Sequence, residues 1–302
     1  MSRNRRWAPS LALASLALVG ACATPTDAPA AKPSKEGPAA LAKDTQAATL
    51  LPEDVKKAGV IRVGAEVGYA PMSFFDADGK TIIGAEPDLM AAVGQALGVK
   101  VEWTNTAWDG IFPALNSGRF DVVVNAVTDT KEREAQNDFV QYFSAGSALL
   151  VKKGNPKKIQ GLADLCGKTV ALQTGTQQVD IVKGQQAKCG ASKIKVLVYP
   201  ADSGAVLQVR NGRADAGMQD FPAAAWNAQR AGGGKLFEVL TSEQYKPGSY
   251  GIVIAKNRTQ LRDAIQAGLK KAIESGAYAK ILEKWNISAG SLTTAQINGA
   301  QE

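Results

Sequence analysis

The stretch Val60-Ile-Arg-Val-Gly64 is a short apolar run of the kind that forms a buried β-strand. An amphipathic helix is predicted to follow, because apolar residues recur at the i, i+3, i+4, i+7, i+8 spacing at Leu89, Ala92, Val93, Ala96 and Leu97. Gly98 ends this helix, and residues 99–103 predict the next strand. A strand, a helix and a strand in this order predict parallel strands in an α/β fold.

Strands and helices alternate in the same way through two cycles. The first cycle continues with a helix over residues 110–117 and a strand over residues 120–124. The second cycle predicts three strands and three helices, in the order 169–173, 177–187, 195–198, 205–210, 214–219 and 222–231. Two runs of β-α-β units predict two α/β lobes, each built on a parallel sheet flanked by helices.

The end of the chain has a different pattern. Two more helices are predicted by the apolar stripes Leu261, Ile265, Leu269, Ala272, Ile273 and Tyr278, Ile281, Leu282, Trp285. No new sheet follows residues 250–255, so these helices are expected to pack on an existing lobe. Residues 148–152 and 250–255 are the predicted crossovers between the lobes. A ligand site is expected in the cleft between the lobes, at the carboxyl ends of strands.

Composition narrows the class of function. The 302 residues are 45% hydrophobic and 21% charged, which excludes a wholly disordered chain or a polytopic membrane protein. The chain has no histidine, which excludes every His-based catalytic triad and the usual zinc ligands, and we expect no metal and no cofactor. Without Arg3, Arg5 and Arg6, which lie in a predicted leader, the net charge of +7 falls to +4. That charge is too small to predict nucleic-acid binding.

The first residues predict an export signal. Three arginines precede the apolar run over residues 11–19, and the small residues Val19-Gly-Ala-Cys22 follow. The apolar run is too short to span a bilayer. Its end resembles a bacterial lipobox, which implies a leader over residues 1–21 and an acylated Cys22; the alternative is an ordinary signal with an incidental cysteine. Residues 22–50 are rich in Ala, Pro, Thr and Lys and predict a flexible tether.

Two cysteines remain after Cys22 is set aside. An even pair in an exported protein predicts a disulfide, here between Cys166 and Cys189. The alternative is a pair of buried thiols.

Several short motifs occur in a fixed order along the chain. They are Tyr69-Ala-Pro-Met-Ser-Phe74, Gly84-Ala-Glu-Pro-Asp-Leu89, Trp108-Asp-Gly110, Phe120-Asp121, Thr128-Asp-Thr-Lys-Glu-Arg133, Gln173-Thr-Gly-Thr-Gln177, Gln219-Asp220 and Gly276-Ala-Tyr278. Together they resemble the family-3 solute-binding proteins of polar amino-acid ABC transporters, over about residues 57–287.

The resemblance implies a fold and a function. The fold is the two-lobe periplasmic-binding-protein fold (type II), with lobe 1 over residues 51–149 and 251–302 and lobe 2 over residues 150–250. The function is extracytoplasmic binding of a free amino acid by lobe closure, and delivery to the permease subunits of an ABC transporter. The protein is expected to be a monomer, anchored to the cell membrane through its N-terminal lipid.

The resemblance places the two groups that bind the zwitterion. Arg133 matches the carboxylate-binding arginine, and its planar guanidinium suits a carboxylate. The Thr128 hydroxyl is placed to donate to the same carboxylate. Asp220, at the carboxyl end of a predicted strand, matches the ammonium-binding aspartate. The alternatives are a surface helix charge for Arg133 and a helix N-cap for Asp220.

Backbone groups are expected to complete the clamp. Residues 125–127, which include Asn125 and Ala126, are expected to offer a carbonyl to the ammonium and an amide to the carboxylate. Gln177 and Gln178 open a predicted helix whose free N–H groups can face an anion, although the family more often has Thr before Gln or Glu. The alternative for this segment is a simple turn or helix cap. Ala85 also departs from the family pattern, which usually has an aromatic residue there.

Three further residues are assigned to the side-chain pocket. Tyr69 and Trp108 match the aromatic walls of the family's site; the alternative is that both are core aromatics. Glu66 would line the pocket and pair with a cationic or amide side chain, which favours Lys, Arg, ornithine, His or Gln; the alternative is a solvated carboxylate.

Two other classes of function compete with transport. The fold also serves exported dehydratases, and Glu66, Glu86, Asp109 or Lys131 could act as acid or base. A ligand sensor that is not coupled to transport is the other alternative. The clamp residues and the absence of histidine favour simple binding over catalysis.

Overall fold

The computed structural model describes residues 41–241 and 243–301, and its elements follow the predicted alternation. The strands are β1 (Val60–Ala65), β2 (Phe74–Phe75), β3 (Ile82–Ile83), β4 (Lys100–Asn105), β5 (Val122–Val123), β6 (Asn137–Lys152), β7 (Thr169–Gln173), β8 (Lys195–Tyr199), β9 (Ala216–Asp220), β10 (Phe237–Val239) and β11 (Tyr245–Ala255). The α-helices are α1 (Thr45–Thr49), α2 (Glu53–Ala58), α3 (Ala85–Leu97), α4 (Ile111–Asn116), α5 (Lys131–Glu134), α6 (Gln177–Lys188), α7 (Asp202–Asn211), α8 (Phe221–Arg230), α9 (Thr259–Glu274) and α10 (Ala277–Lys284). The predicted leader, Cys22 and the tether up to residue 40 lie outside the described residues.

A single mixed sheet joins the two predicted β-α-β runs. Its strand order is β4-β1-β5-β11-β6-β9-β7-β8, with β10 beside β6. β1 pairs in parallel with β4 and β5, and β7 pairs in parallel with β8 and β9, as the two runs predict. β6 and β11 lie between these sets and are antiparallel to each other. The structure is therefore a two-lobe α/β fold whose lobes share two long strands.

The strand β6 is much longer than the sequence predicts. The sequence assigns only residues 148–152 to an extended segment, whereas β6 has 16 residues. Its first part pairs with β11, and its last part, from Ser147 to Val151, pairs with β9. The apolar pattern of β6 is interrupted by Asn137, Asp138 and Gln141. For this reason the sequence pattern does not predict a strand in its first half.

Each half of the sheet is covered by apolar side chains on both faces. Along β6, Leu149 and Val151 belong to one cluster, whereas Ala148 and Leu150 belong to another on the opposite face. This alternation is the period of two that a strand imposes. The helices α9 and α10 pack on α3 and continue the core of the first half, as predicted for the C-terminal helices.

The helix α3 begins at a position that only glycine can occupy. Gly84 has a φ of 142°, and a Cβ there would lie 2.1 Å from the carbonyl oxygen of Met72. The backbone of Met72 accepts from the Glu86 amide, so the first turn of α3 lies directly against the loop that carries Tyr69. The start of α3 is thereby fixed close to the strand ends.

The last residues of the predicted tether are folded, and the prediction of flexible chain is wrong over residues 41–50. Asp44 caps α1 by accepting from the amides of Gln46 and Ala47. Its own amide donates to the carbonyl oxygen of Ala96 at 2.8 Å, and Ala47 is buried. A helix of five residues is too short to show apolar periodicity, so the sequence pattern could not reveal it.

The predicted disulfide is present. Cys166 is bonded to Cys189, with 5.3 Å between their Cα atoms. The bond joins the short 3₁₀ turn Leu162–Leu165 to the end of α6. The alternative of two buried thiols is excluded.

Over the described part of the chain, we find no helix that has both the length and the apolar character needed to cross a membrane.

Candidate functional site

A cavity of about 440 Å³ lies where parallel strands of both halves of the sheet end. Glu66 follows the last residue of β1, and Asn105 is the last residue of β4. Gln173 and Asp220 are the last residues of β7 and β9. The cavity thus occupies the position at which α/β folds bind ligands, at the carboxyl ends of strands.

The structure brings all the predicted ligand-binding residues together at this cavity. Its lining includes Glu66, Tyr69, Trp108, Asn125, Ala126, Thr128, Arg133, Gln177, Gln178 and Asp220.

Arg133 lies in the cavity wall and not on the outer surface. One guanidinium nitrogen, Nη1, donates to the carbonyl oxygen of Thr128 at 2.8 Å, and Nη2 donates to the carbonyl oxygen of Gly175 at 3.4 Å. The guanidinium carbon lies 5.7 Å from the centre of the Trp108 ring and 5.9 Å from that of Phe112. No carboxylate of the described residues forms an ion pair with Arg133. Its N–H donors beyond these two carbonyl contacts are available to an anion in the cavity.

Asp220 occupies the N-cap position of α8, but its side chain does not cap that helix. The carboxylate accepts from the Tyr69 hydroxyl at 3.1 Å and from Gln178 Nε2 at 2.8 Å. Only 7% of the residue is exposed, and this burial raises the pKa of the carboxyl to about 6. Near neutral pH, Asp220 is therefore a buried anion at the wall of the cavity, with Arg133 close enough to stabilise its charge.

Direct bonds join the two halves of the sheet across the cavity. The Tyr69 hydroxyl, on the loop after β1, donates to the Asp220 carboxylate and accepts from the Asp220 amide at 3.0 Å. Gln173 Nε2, at the end of β7, donates to the Glu66 carboxylate. With the contact from Arg133 to Gly175, these bonds link the loops of the first half to the strand ends of the second.

The buried carboxylate of Glu86 holds the loop over residues 125–127 in place. Glu86 is fully buried, and its Oε1 accepts from the Ala126 amide at 2.6 Å and from the Tyr142 hydroxyl. Burial raises the pKa of Glu86 to about 7. Ala126 has a φ of 47°, so its backbone is in the left-handed region. Because Glu86 already accepts the Ala126 amide, that amide cannot serve the ligand carboxylate as the sequence argument expected for residues 125–127.

Two further carboxylates, those of Glu66 and Asp202, line the cavity. Burial raises the pKa of Glu66, and it raises that of the buried Asp202 to about 7. Gln219 Nε2 donates to the Asp202 carboxylate. The Glu66 amide donates to the Asn125 side chain, so Glu66 and Asn125 are held together. Two carboxylates beside each other form an environment that favours a cation or an amide.

Trp108 is both a core residue and a cavity-lining residue. It is 8% exposed and belongs to the apolar cluster of Ile111 and Leu115, yet its ring also lines the cavity. A Cβ on Gly175 would lie 3.3 Å from the indole nitrogen, so this glycine brings the turn before α6 against the ring.

The N-terminus of α6 opens on the cavity. Thr176 occupies the N-cap position, but its hydroxyl donates to the carbonyl oxygen of Gln173, and no side chain caps the helix. Thr176 and Gln177 both line the cavity. Uncapped first-turn N–H groups and the helix dipole favour an anion at this place.

Several polar residues that line the cavity were not predicted as site residues, among them Gln173, Asp202 and Asn105. Gln173 and Asn105 are the last residues of β7 and β4. Because ligand sites of α/β folds lie at the carboxyl ends of strands, this position could have indicated both residues, as it did for Asp220. Asp202 opens α7, and nothing in its local sequence distinguishes it from an ordinary N-terminal helix residue.

The other candidate acids and bases, Glu86, Asp109 and Lys131, do not line the cavity. Glu86 lies beneath the loop, and Asp109 and Lys131 are exposed. Among the described residues, no group of three His, Cys, Asp or Glu side chains is placed to bind a metal ion.

Comparison with known proteins agrees with this geometry. The model of the bacterial extracellular solute-binding proteins, family 3, matches residues 61–288. The arginine-binding protein ArgT of Corynebacterium glutamicum is 31% identical over 253 residues, which cover 82% of this chain and 81% of ArgT. The L-cystine-binding protein TcyA of Bacillus subtilis is 31% identical over 231 residues, which cover 76% of this chain and 82% of TcyA.

Solved structures show the same two-lobe fold. An ancestral arginine-binding protein bound to arginine is 38% identical, with a TM-score of 0.68 over 75% of this chain and 98% of that one. The ancestral amino acid-binding protein AncCDT-1, described as a precursor of cyclohexadienyl dehydratase, is 36% identical, with a TM-score of 0.69 over 78% of this chain and 99% of that one.

The fold and the cavity define a two-lobe binding protein of the periplasmic-binding-protein fold, with its cleft between the lobes. The chain belongs to the bacterial extracellular solute-binding proteins, family 3.

Proposed function

We propose that the protein binds a free α-amino acid in the cavity between its lobes and delivers it to an ABC permease. Lobe 1 comprises residues 51–149 and 251–302, and lobe 2 comprises residues 150–250. The observation that carries this proposal is the placement of the half-buried Arg133 and the buried Asp220, which have opposite charges, on one cavity. An amino acid presents a carboxylate and an ammonium, and these two side chains complement that pair.

The ligand carboxylate lies against Arg133, within reach of the Thr128 hydroxyl and the N-terminus of α6. Arg133 is oriented by its bond to the Thr128 carbonyl and by the Trp108 ring, which supports this role. The ligand ammonium lies against Asp220, which Tyr69 and Gln178 orient. The two clamps come from different lobes, so the ligand bridges them and stabilises the closed state.

The ligand side chain points toward the two further carboxylates in the cavity wall. Glu66 and Asp202 suit a basic or amide side chain, such as that of Arg, Lys, ornithine, His or Gln. The names of the arginine-binding and histidine-binding relatives support this class of ligand, whereas those of the L-cystine-binding relatives do not.

The N-terminal sequence extends the proposal to location. Residues 1–21 are removed as a leader, and an acylated Cys22 anchors the protein as a monomer on the extracytoplasmic face of the membrane. Metabolic labelling with a fatty-acid analogue tests this step, because Cys22→Ser should abolish the label and Cys166→Ser should not.

A binding screen tests the function directly. The purified chain is unfolded and refolded without reductant to remove any carried-over ligand, and its melting temperature is measured with each common amino acid, ornithine and citrulline. A ligand at 100 times its dissociation constant stabilises the fold by about 2.7 kcal/mol, which gives a measurable shift. Arg133→Ala should abolish the shift, whereas Arg119→Ala, which removes a surface arginine stacked on Phe120, should preserve it. Binding that survives in Arg133→Ala would contradict the clamp.

Catalysis is the second candidate, because AncCDT-1 is described as a precursor of an enzyme and because Glu66 and Asp202 have raised pKa values. Mass spectrometry of the bound ligand separates the two functions. Intact amino acid after prolonged incubation supports binding alone, and a converted product supports an enzyme. A sensor without transport is distinguished by normal uptake of the ligand in cells that lack the protein.

A further inference from the structure

The chain beyond the matched family segment forms an additional edge on the sheet. After the 3₁₀ turn Ser288–Gly290, it runs beside β6, with Ile297 opposite Val140 in an antiparallel bridge. The Gln141 amide donates to the carbonyl oxygen of Gln296 at 2.8 Å, and the Asn298 amide donates to that of Phe139 at 3.0 Å. We call residues 296–300 the C-terminal strap. It lies outside the family match, which ends at residue 288.

Asn298 fixes the strap to β6 through its side chain. Its Oδ1 accepts from the Phe139 amide at 2.8 Å, and its Nδ2 donates to Asp138 Oδ1 at 2.9 Å. The buried carboxylate of Asp138 also pairs with Lys256 and Arg262, so Asn298 joins the strap to a network of charged side chains. Gly299 fits closely there, because a Cβ would lie 2.7 Å from the Gln296 side chain and 2.9 Å from Gln141 Oε1.

The strap also contacts the helix that carries Arg133. The Ala300 amide donates to Glu134 Oε1 at 2.8 Å, and the other carboxylate oxygen of Glu134 pairs with Lys131 at 3.2 Å. The helix α5 has only four residues, and its N-cap Thr130 accepts from the Arg133 amide at 3.3 Å. A helix of one turn has little stability of its own, so its position depends on contacts from outside.

The segment before α5 is held from the same edge of β6. Gln141 Nε2, beside the strap, donates to Asp129 Oδ2 at 2.8 Å. The Asp129 amide donates to the carbonyl oxygen of Ser249 at 2.7 Å. Both ends of the segment that contains Thr128 and Arg133 are therefore tied to the strand pair β6–β11 and to the strap.

We propose that the C-terminal strap positions Arg133 for the ligand carboxylate by holding α5 through Glu134. This inference rests on the proposed function. The strap touches neither the cavity nor the ligand, and it acts through the placement of one guanidinium. Glu134 is accordingly a positioning residue, and its loss should weaken the contact with the ligand carboxylate and leave the other contacts intact.

The experiment compares two pairs of variants. In the first pair, the chain ends after Ala295, which deletes the strap, or after Ala300, which keeps every strap contact described here. In the second pair, Glu134→Ala removes the acceptor of the Ala300 amide, and Glu132→Ala removes an exposed carboxylate from the same helix. Glu134→Gln is the conservative variant, because its amide oxygen can still accept from Ala300.

The readout separates positioning from general destabilisation. The ligand is the amino acid that the unaltered chain binds most tightly in the panel of common amino acids, ornithine and citrulline. Dissociation constants for this amino acid and for its α-carboxamide are measured by calorimetry. Strap deletion and Glu134→Ala should weaken amino-acid binding about tenfold, the loss expected when a charge-assisted bond is misaligned. The carboxamide, which has no negative charge and only one acceptor oxygen for Arg133, should lose much less affinity than the amino acid in these variants. Glu134→Gln should restore most of the affinity.

Hydrogen exchange tests the inference even if the chain without the strap is unstable. In Glu134→Ala, the amides of residues 131–136 should exchange faster than in Glu132→Ala, while those of α9 remain protected. Equal affinities in both pairs, or equal losses for the amino acid and its carboxamide, would overturn the inference. If the unaltered chain binds no amino acid of the panel, the proposed function itself fails, and the strap inference falls with it.

Discussion

The buried carboxyl of Asp220 should make ligand binding depend on pH. Its pKa is raised to about 6 by burial, whereas an ammonium ligand needs the ionised form. Affinity should therefore be constant well above pH 6 and fall as pH drops through about 6, by about tenfold at pH 5. Calorimetry between pH 5 and 8 in two buffers measures this fall and the proton that the ligand displaces near pH 6. Asp220→Asn should bind weakly at every pH and lose the step, and a step that persists in this variant would assign it to Glu66 or Asp202.

The same carboxyl should destabilise the protein without ligand at neutral pH. A carboxyl whose folded pKa lies above its unfolded pKa binds protons more tightly when folded, so its contribution falls as pH rises between about 4 and 6. The shift from 3.8 to about 6 corresponds to about 3 kcal/mol. Asp220→Asn should therefore melt at a higher temperature than the unaltered chain at pH 7 and lose that advantage below pH 4. A lower melting temperature at pH 7 would contradict this account of Asp220.

Glu66 should decide between ligand side chains. Glu66 lines the cavity beside Asn125, and its carboxylate accepts from Gln173. Glutamine at this position has the same side-chain length and removes the negative charge. Glu66→Gln should weaken binding of Arg or Lys by at least about tenfold more than binding of Gln. The ratio of the two dissociation constants within one variant corrects for any general loss of binding. An unchanged ratio would show that Glu66 does not discriminate between charged and neutral ligand side chains.

The sequence predicted that Arg133 and Asp220 lie on one cavity, but it did not predict that Asp202 lines this cavity. Arg133 and Asp220 each belong to a short motif next to a buried strand, and such motifs specify both residue and place. Asp202 and Glu86 come from helices that begin near the strand ends, and their burial depends on how those helices pack. No local pattern in the chain encodes that packing, so from the sequence Glu86 was predicted only as a candidate acid or base.

At the scale of elements, the disulfide should stabilise lobe 2 and leave the site unchanged. Cys166 and Cys189 are separated by 23 positions in the chain, and closing such a loop contributes about 3 kcal/mol in the chain-entropy model. Replacing both cysteines with serine should lower the free energy of unfolding, measured with urea, by about this amount. Ligand affinity should stay the same, because neither cysteine lines the cavity. A large loss of affinity with unchanged stability would contradict this division.

The helix α1 should contribute to stability and not to binding. Ala47 is buried, and the amides of Leu41 and Asp44 donate to Gln95 and Ala96 in α3. A chain that begins at Leu51 should unfold at a lower denaturant concentration than one that begins at Leu41, by roughly 1–2 kcal/mol for one buried side chain and its hydrogen bonds. Both chains should bind the ligand equally. Equal stability would mean that this segment is only loosely attached.

The elements that the sequence missed share a physical cause. The helix α1 is too short for a periodic pattern, and β2 and β3 have two residues each. The C-terminal strap pairs with β6 through backbone groups, which any residue type provides. By contrast, β7 matches its predicted bounds because Thr169–Gln173 is an apolar run between turn residues. Local apolar patterns predict elements, whereas backbone pairing with a distant strand leaves no local pattern.

At the scale of the whole molecule, the lobes are linked by the two long strands β6 and β11. Their antiparallel pairing shifts register near Tyr250–Gly251, in the middle of the shared sheet. Bonds such as those from Tyr69 to Asp220 and from Gln173 to Glu66 already join the lobes across the cavity. A zwitterionic ligand would add a bridge between Arg133 and Asp220, and we therefore expect it to favour closure.

Calorimetric titration of the refolded, ligand-free protein with basic and amide amino acids tests the central claim most directly. Saturable binding of at least one of them is expected with a stoichiometry of one, abolished in Arg133→Ala, strongly weakened in Asp220→Asn and preserved in Arg119→Ala. Binding that persists in both clamp variants, or no binding of any amino acid to the unaltered chain, would contradict it.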